Sequence, residues 1–318
     1  MESSVELITL TESNADSFLL KFKCNLKNRN ILIDGGLKGD GKRAIELIEK
    51  IIEQGDIIDL VILTHVDLDH INGLLAIFDS DIITSKTVGE VLFNVPHSKI
   101  ELDIIKDKKT QCGYKEGNEL LELIINKGIK FTPALQGDKF KLDDELVIDI
   151  LSPTKSIVEL DHTQWRNTNI GSDEDDEYNK ERLLKKTFKE EKKPQNISSI
   201  VCLVKYKNSK LLFCGDSVPT QILSCISDVT PVDLFKIPHH GSHYNISKLL
   251  IERFPTDKYL IPGNKTTYPN FYTIALLEDK SKGSLIYVPK GSWVHKERFN
   301  EHINLNFIEY EFNTRICL

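Results

Sequence analysis

Apolar residues in this chain gather in short runs separated by polar turns. The run Ile57-Ile58-Asp59-Leu60-Val61-Ile62-Leu63-Thr64 is almost wholly apolar and reads as a buried strand. Similar runs predict strands over 6–10, 17–22, 29–34, 60–64 and 90–94, then over 146–151, 199–206, 210–214, 233–237 and 258–261. Helical spacing predicts helices over 41–54, 71–78, 118–127, 180–192, 220–226, 247–253 and 274–279. In the first of these, Ala44, Ile45, Leu47, Ile48, Ile51 and Ile52 form one apolar face. Two strand-rich halves, each followed by helices, predict an α/β sandwich of two sheets with helices on the outer faces. The carboxyl end, 284–318, is expected to form a terminal hairpin or strand pair, with Leu305, Phe307, Tyr310 and Phe312 as packing residues. Trp293 and Tyr287 read as core or edge packing rather than as base-stacking rings. No repeat of solenoid period stands out.

Chemistry stands just past three of these strands. His65-Val66-Asp67-Leu68-Asp69-His70 places two imidazoles and two carboxylates on the loop between strand 60–64 and helix 71–78. Groups at this spacing can converge on one metal ion or on a close pair. A charged loop beside a core strand is the plainer alternative, but acid and imidazole clusters rarely follow a buried strand without a reason. A second apolar run ends in Gly215-Asp216-Ser217, and a third in Pro238-His239-His240-Gly241-Ser242. A lone Gly-Asp is weak evidence and a histidine pair is moderate. All three strand ends together make a strong joint signal.

On these residues the chain resembles the metallo-β-lactamase-fold hydrolases. Ile31-Leu32-Ile33-Asp34-Gly35-Gly36 is similar to that family's first motif, residues 65–70 to its second, Asp216 to its bridging carboxylate and His239-His240 to its last. The Asp at position 67, the Pro-His-His-Gly-Ser block, Asn196-Ile197-Ser198-Ser199 and Leu92-Phe93-Asn94 resemble a narrower subgroup, the hydrolase domain of bacterial competence DNA-uptake proteins. The resemblance implies one domain over 1–318, with a charged insertion around 163–195. It also implies two divalent ions, zinc or manganese, with magnesium as a further option. Asp216 would bridge them, Asp69 and His70 would hold one with His239 or His240, and His65 and Asp67 would hold the other. Asp69 would also orient the attacking hydroxide.

Three departures from the family pattern matter. Asp67 stands where the family has histidine, and its hard oxygen donor shifts the preference from zinc towards manganese or magnesium. A carboxylate-rich pair also suits phosphoester chemistry. The family's third-motif histidine has no clear counterpart: His97 and His162 are the candidates, and each reads more simply as a surface loop residue. The subgroup's late Gly-His-Pro is replaced by Thr267-Tyr268-Pro269. Tyr268 can hydrogen-bond a substrate oxygen but cannot stand in for an imidazole ligand. His243, just after Ser242, is a candidate acid for the leaving group, with an exposed loop histidine as the plainer reading.

Composition narrows the setting. An apolar share of 40% over 318 residues supports a normal core. No apolar run approaches the ~20 residues needed to cross a bilayer, and the acidic start at Glu2 lacks a signal-peptide profile. The expectation is a cytoplasmic chain without membrane insertion. Cysteines 24, 112, 202, 214, 225 and 317 lack the paired spacing of a structural zinc site, and Cys202 and Cys214 read as core residues. A net charge of −7 argues against a broadly basic nucleic-acid-coating protein, though not against a nuclease with a local basic patch. The acidic run Asp173-Glu174-Asp175-Asp176-Glu177 and the lysine-rich stretch 185–193 read as a mobile loop or solvated helix, with a polyanion-binding surface as the sharper alternative for the lysines.

The leading expectation is a metal-dependent phosphodiesterase or nuclease acting on nucleic acid or a nucleotide. A hydrolase of small esters or phosphoesters is the second reading. The third is a non-catalytic metal-binding subunit with a protein partner in a larger assembly.

Overall fold

The computed structural model describes residues 5–24, 27–95, 113–164, 178–264, 268–294, 299 and 303–318. The apolar runs become strands, in chain order β1 (Val5–Thr9), β2 (Phe18–Cys24), β3 (Lys27–Ile33), β4 (Ile58–Ile62), β5 (Val88–Leu92) and β6 (Lys130–Thr132). They continue with β7 (Lys139–Asp143), β8 (Leu146–Ser152), β9 (Val201–Tyr206), β10 (Ser209–Phe213), β11 (Leu234–Lys236) and β12 (Lys258–Leu260). The last are β13 (Leu285–Pro289), β14 (Asn306–Tyr310) and β15 (Arg315–Cys317). One sheet runs β15-β1-β2-β3-β4-β5-β6 and the other β14-β13-β12-β11-β10-β9-β8-β7.

The period-two alternation of a strand sorts its side chains between layers. Leu7 of β1 faces the core between the sheets, whereas Ile8 faces outward under the helices. Likewise Leu211 and Phe213 of β10 point between the sheets, and Leu212 points to the other outer face. The helices α1 (Lys38–Glu53), α2 (Leu68–Asp79) and α3 (Tyr114–Asn126) cover the first sheet through Ala44, Ile48, Leu74, Ile77 and Leu120. Next come α4 (Lys155–Gln164), α5 (Lys180–Leu184), α6 (Pro194–Ile197), α7 (Pro219–Leu223), α8 (Lys248–Arg253) and α9 (Phe271–Lys280). Of these, α5, α7, α8 and α9 cover the second sheet through Leu183, Ile222, Leu250 and Ile274. This is the α/β sandwich that the hydrophobic pattern predicts.

Several boundaries differ from the expectation. Helix α2 starts at Leu68 with Asp67 as its N-cap, so Asp69 and His70 lie in its first turn rather than on a loop. The expected helix over 180–192 stops at Leu184. Beyond it, Glu190 and Glu191 accept hydrogen bonds from Thr220 and Asn245, and Pro194 opens α6, so the segment is drawn onto its neighbours instead of coiling. The carboxyl end forms the strand pair rather than the hairpin. β14 runs parallel to β13 in the second sheet, while β15 crosses to pair antiparallel with β1, Leu7 opposite Ile316. Its aromatic residues do pack, Tyr310 between the sheets and Phe312 under the first sheet's helices. Trp293 is buried, its ring 4.7 Å from Phe271, and Tyr287 packs on the inter-sheet core. Helices α4 and α6 were not expected as elements. Cys202 and Cys214 are buried core residues, and no helix among the described residues is long and apolar enough to cross a membrane. The acidic run 173–177 lies outside the described residues.

One close approach seats α2. A Cβ on Gly73 would fall 1.7 Å from the Gly35 carbonyl oxygen, so only glycine lets the helix rest on the turn after β3. There the Gly35 N–H donates to the His70 carbonyl at 2.8 Å, which fixes the height of His70 over the sheet.

Candidate metal centre

Four strand ends supply the centre: Asp34 after β3, residues 65–70 between β4 and α2, Asp216 after β10 and the histidine pair after β11. The backbone at His239, His240 and Gly241 is left-handed three times running, with φ of 46°, 51° and 85°. Histidine adopts that region at a cost, which the surrounding contacts must offset. The turn aims two adjacent rings at different sides of Asp216. The His239 N–H donates to the Gly215 carbonyl at 3.0 Å and so ties this turn to the one carrying Asp216.

Each of the four histidines has its Nδ1 anchored on an acceptor, which assigns its tautomer. His70 Nδ1 donates to Asp34 Oδ2 at 2.8 Å. His240 Nδ1 donates to the Pro262 carbonyl at 3.0 Å, and His239 Nδ1 to Glu191 Oε2 at 2.9 Å. Thr64 Oγ1 spends its proton on Asp34 Oδ2 at 2.7 Å, so it accepts from His65 Nδ1 at 3.1 Å. With each ring neutral, all four Nε2 atoms therefore carry lone pairs, and these point at carboxylates. His70 Nε2 lies 3.4 Å from Asp216 Oδ1. His65 Nε2 and His239 Nε2 lie 3.6 Å and 3.7 Å from Asp216 Oδ2. His240 Nε2 lies 2.9 Å from Asp69 Oδ2.

Asp216 thus divides the centre into two halves. Its Oδ1 faces His70, near Asp69 and His240; its Oδ2 faces His65 and His239, near Asp67. Lone pairs aimed at carboxylates repel unless a cation lies between them. The buried His65 Nε2, His70 Nε2, Asp216 Oδ1 and Asp67 Oδ1 also have no hydrogen-bond partner. Neutral imidazole nitrogens and carboxylate oxygens are the donors that divalent transition ions take, so these residues fit a metal pair. A chamber so rich in acceptors draws protons strongly. Burial works against a charge on His70, but Asp216, Asp34 and Asp16 raise its pKa well above the ordinary value. His239 is pushed up to about 9: burial opposes, and Asp216 and Glu191 prevail. His65 goes the other way, held well below its ordinary value by burial and by the charge on His70. Asp216 is held well below the usual carboxylate range, because the surrounding histidines outweigh its burial.

Behind the first half lies a layer that the sequence reading did not anticipate. Lys236, at the end of β11, is fully buried; it forms an ion pair with Asp16 Oδ2 and donates to the Gly215 carbonyl at 2.9 Å. Asp16 Oδ1 lies 3.5 Å from His240 Nδ1, and Asp16 Oδ2 lies 4.0 Å from His70 Nδ1. Asp16, His70 and His240 could themselves ligate an ion, as could His65, His70 and Asp216. The Asp16 group already closes on the Lys236 ammonium and uses ring nitrogens engaged elsewhere, so the Asp216 group is the stronger candidate. The signal for Lys236 was a lone charge inside an apolar strand. Nothing in the sequence pattern singled out Asp16.

Of the remaining candidates, Asp67 and Tyr268 border the second half. Asp67 Oδ2 lies 3.9 Å from His65 Nε2 and forms an ion pair with Lys193. The Tyr268 ring centroid is 5.4 Å from that of His239, at the edge of the second half. His243 is held by Asn270, whose Oδ1 takes both its N–H and its Nδ1, at 2.7 Å and 2.8 Å, and it stacks on Tyr244. His97 and the side chain of His162 lie outside the described residues. His239 and His65 approach the same oxygen of Asp216. Glu191 and Lys193, read from sequence as part of a solvated stretch, both turn into the centre.

The sequence model of the metallo-β-lactamase superfamily matches residues 10–263, and the chain belongs to that superfamily. Among solved structures it is similar to the metallo-β-lactamase-fold protein YhfI from Bacillus subtilis, at 10% identity over 99% of this chain and 100% of that one, with a TM-score of 0.47. It is also similar to Zn(2+)-bound PqqB from Methylobacterium extorquens, at 10% identity over 98% and 100% of the two chains, TM-score 0.46. A third is CmlA, a diiron β-hydroxylase from Streptomyces venezuelae, at 12% identity over 100% of this chain and 54% of that one, TM-score 0.41. No curated protein sequence matches the chain.

Proposed function

We propose that the chain is a metal-dependent hydrolase that cleaves phosphodiester bonds in nucleic acid or in a nucleotide. The observation that carries this reading is the convergence of four Nε2 lone pairs with the carboxylates of Asp67, Asp69 and Asp216. His70, Asp69 and His240 would hold one divalent ion, His65, Asp67 and His239 the other, with Asp216 between them. Such ions, when bound, acidify water and neutralise charge on a phosphoryl oxygen. The carboxylate of Asp67 favours manganese or magnesium over zinc there.

The chain's own groups supply the rest. Burial works against its charge, but the neighbouring histidines hold Asp69 ionised, so this carboxylate would accept a hydrogen bond from the attacking water and orient it. Burial and the nearby carboxylates push Tyr268 up to about 12, so its hydroxyl keeps its proton at neutral pH and can donate to a substrate oxygen. His243, held by Asn270, would be the group that gives a proton to the leaving oxygen. Support for a polyanion comes from Lys185, Lys186, Lys189 and Lys192, which are exposed on the segment leading to the centre. The likeness to the competence-type subgroup, including Asp67, belongs to the same proposal.

The test is a panel of single- and double-stranded DNA, RNA, cyclic dinucleotides and bis-p-nitrophenyl phosphate, each with manganese, magnesium and zinc. Asp69→Ala and Asp216→Ala serve as controls. Metal-dependent cleavage that falls by about 10³-fold or more in Asp216→Ala is expected. Metal retained without cleavage of any phosphodiester would overturn the reading in favour of a small-ester hydrolase or a partner subunit.

A further inference from the structure

We propose that Lys193 is a built-in cation that competes with a divalent ion for the His65, Asp67 and His239 half of the centre, so that the two halves load with unequal affinity. This inference rests on the metal-dependent reading above. The Lys193 ammonium pairs with Asp67 Oδ2, the oxygen that lies 3.9 Å from His65 Nε2. An ion held by His65 and Asp67 needs that same oxygen. Both partners are largely shielded, with Lys193 17% and Asp67 14% exposed, so solvent screens the pair little. An ammonium and a divalent ion on one carboxylate oxygen repel each other strongly at such shielding.

The other half is built differently. Its lysine, Lys236, lies behind the ligands on Asp16, and its nearest approach to Asp216 Oδ1 is 4.0 Å. That charge supports the ligands without occupying the space their Nε2 atoms face. Lys193, by contrast, sits on the ligand itself. It projects from the residue before α6 on a flexible four-carbon stem, so it can leave when an ion arrives. The Asp69, His70 and His240 half should therefore fill first, and the other only at higher metal concentration or when a substrate anion helps to hold the second ion.

The experiment uses the full chain, stripped by chelator and titrated with manganese. Metal is counted by elemental analysis after gel filtration, and the bound ion is followed by electron paramagnetic resonance. The unaltered chain should retain about one ion and show an isolated-ion spectrum at one equivalent, with spin coupling only at excess manganese. Lys193→Met, checked for folding by circular dichroism, should retain about two ions and bind the second about tenfold to a hundredfold more tightly. Lys192→Met, on the exposed neighbour, should take up manganese as the unaltered chain does. A coupled pair already present at low manganese in the unaltered chain would overturn the proposal, and this holds even if the variant fails to fold. Equal stoichiometry in a folded Lys193→Met would overturn it as well. In both cases phosphodiester cleavage would leave the hydrolase reading standing. No bound ion in any of the proteins would remove both.

Discussion

The two halves of the centre use similar ligands but are held by different parts of the molecule. His70 and His240 are fixed from behind by Asp34, the Pro262 carbonyl and the Asp16–Lys236 pair, all at the buried edges of the two sheets. His239 and Asp67 are fixed by Glu191 and Lys193, which arrive on the irregular segment between α5 and α6. One half is part of the core. The other is closed by a strap of half-buried charged residues. Geometry set by a packed core has few alternatives, whereas geometry set by a surface segment can change when its charges find other partners. A second ion, a substrate anion or a regulator can therefore act on the strap-held half.

The largest loss is expected at Lys236. Lys236→Met removes one member of a fully buried ion pair and leaves Asp16 without its cation. Removal of one partner of such a pair costs about 3–5 kcal/mol. Urea unfolding should show a loss of that size, with the metal-retaining half weakened as well. Adding Asp16→Asn to the same chain should recover at least half of the loss, because no uncompensated carboxylate then remains. A cost below about 1 kcal/mol for Lys236→Met would mean that the pair does not hold the first half.

A smaller effect probes how the strap is anchored. Asp161, in α4, accepts from Tyr114 Oη at 2.7 Å and from Ser198 Oγ at 3.1 Å, and so ties the end of α6 to α3. Burial outweighs these two donors and raises its pKa to about 6. An acid with a raised folded pKa holds its proton more firmly in the folded chain. The folded state then binds more protons than the unfolded one between about pH 4 and pH 6, so this residue's contribution to stability is lost as pH rises through that window. The loss is about 2–3 kcal/mol. Asp161→Asn cannot ionise, so its stability relative to the unaltered chain should climb by that amount from pH 4 to pH 6.5 and then level off. A difference that stays constant with pH would show that Asp161 is already ionised below pH 4.

The same contrast explains what was legible in the sequence. Alternating apolar residues revealed most of the strands, and the sandwich followed from them, because burial of a strand face is a local property of the sequence. The pairing of β15 with β1 was not legible, since nothing local marks which distant edge a short strand will join. In the core-held half, Asp69, His70 and Asp216 stand at strand ends or in a first helical turn, where their spacing shows. Lys236 left a trace as a charge within β11. In the strap-held half, Lys193 meets Asp67 across 126 residues of sequence, and its own neighbourhood is as charged as any solvated stretch. The role of His239 was hidden for a different reason. Its separation from His240 depends on two consecutive left-handed residues, a conformation that histidine seldom adopts and that spacing alone does not predict.

The smallest expected effect is also the most selective. Glu191 Oε2 accepts from His239 Nδ1 at 2.9 Å and from Asn245 Nδ2 at 2.8 Å, so one oxygen sets both the tautomer and the direction of the His239 ring. Glu191→Gln keeps the shape, removes the charge and can turn an amide N–H towards a ring nitrogen that needs an acceptor. Outer partners of this kind typically contribute about 10- to 100-fold in metal affinity. The conservative change should fall near the lower end, about tenfold, and only for the ion of the second half. The pKa of His239, about 9 with Glu191 charged, should fall towards that of free imidazole, because Glu191 is one of the two acids that raise it. Manganese titration would measure the first effect, and histidine proton resonances of the metal-stripped chain the second. Equal weakening of both ions would show that Glu191 acts through Asp216 on the whole centre, and the division between a core-held and a strap-held half would then fail.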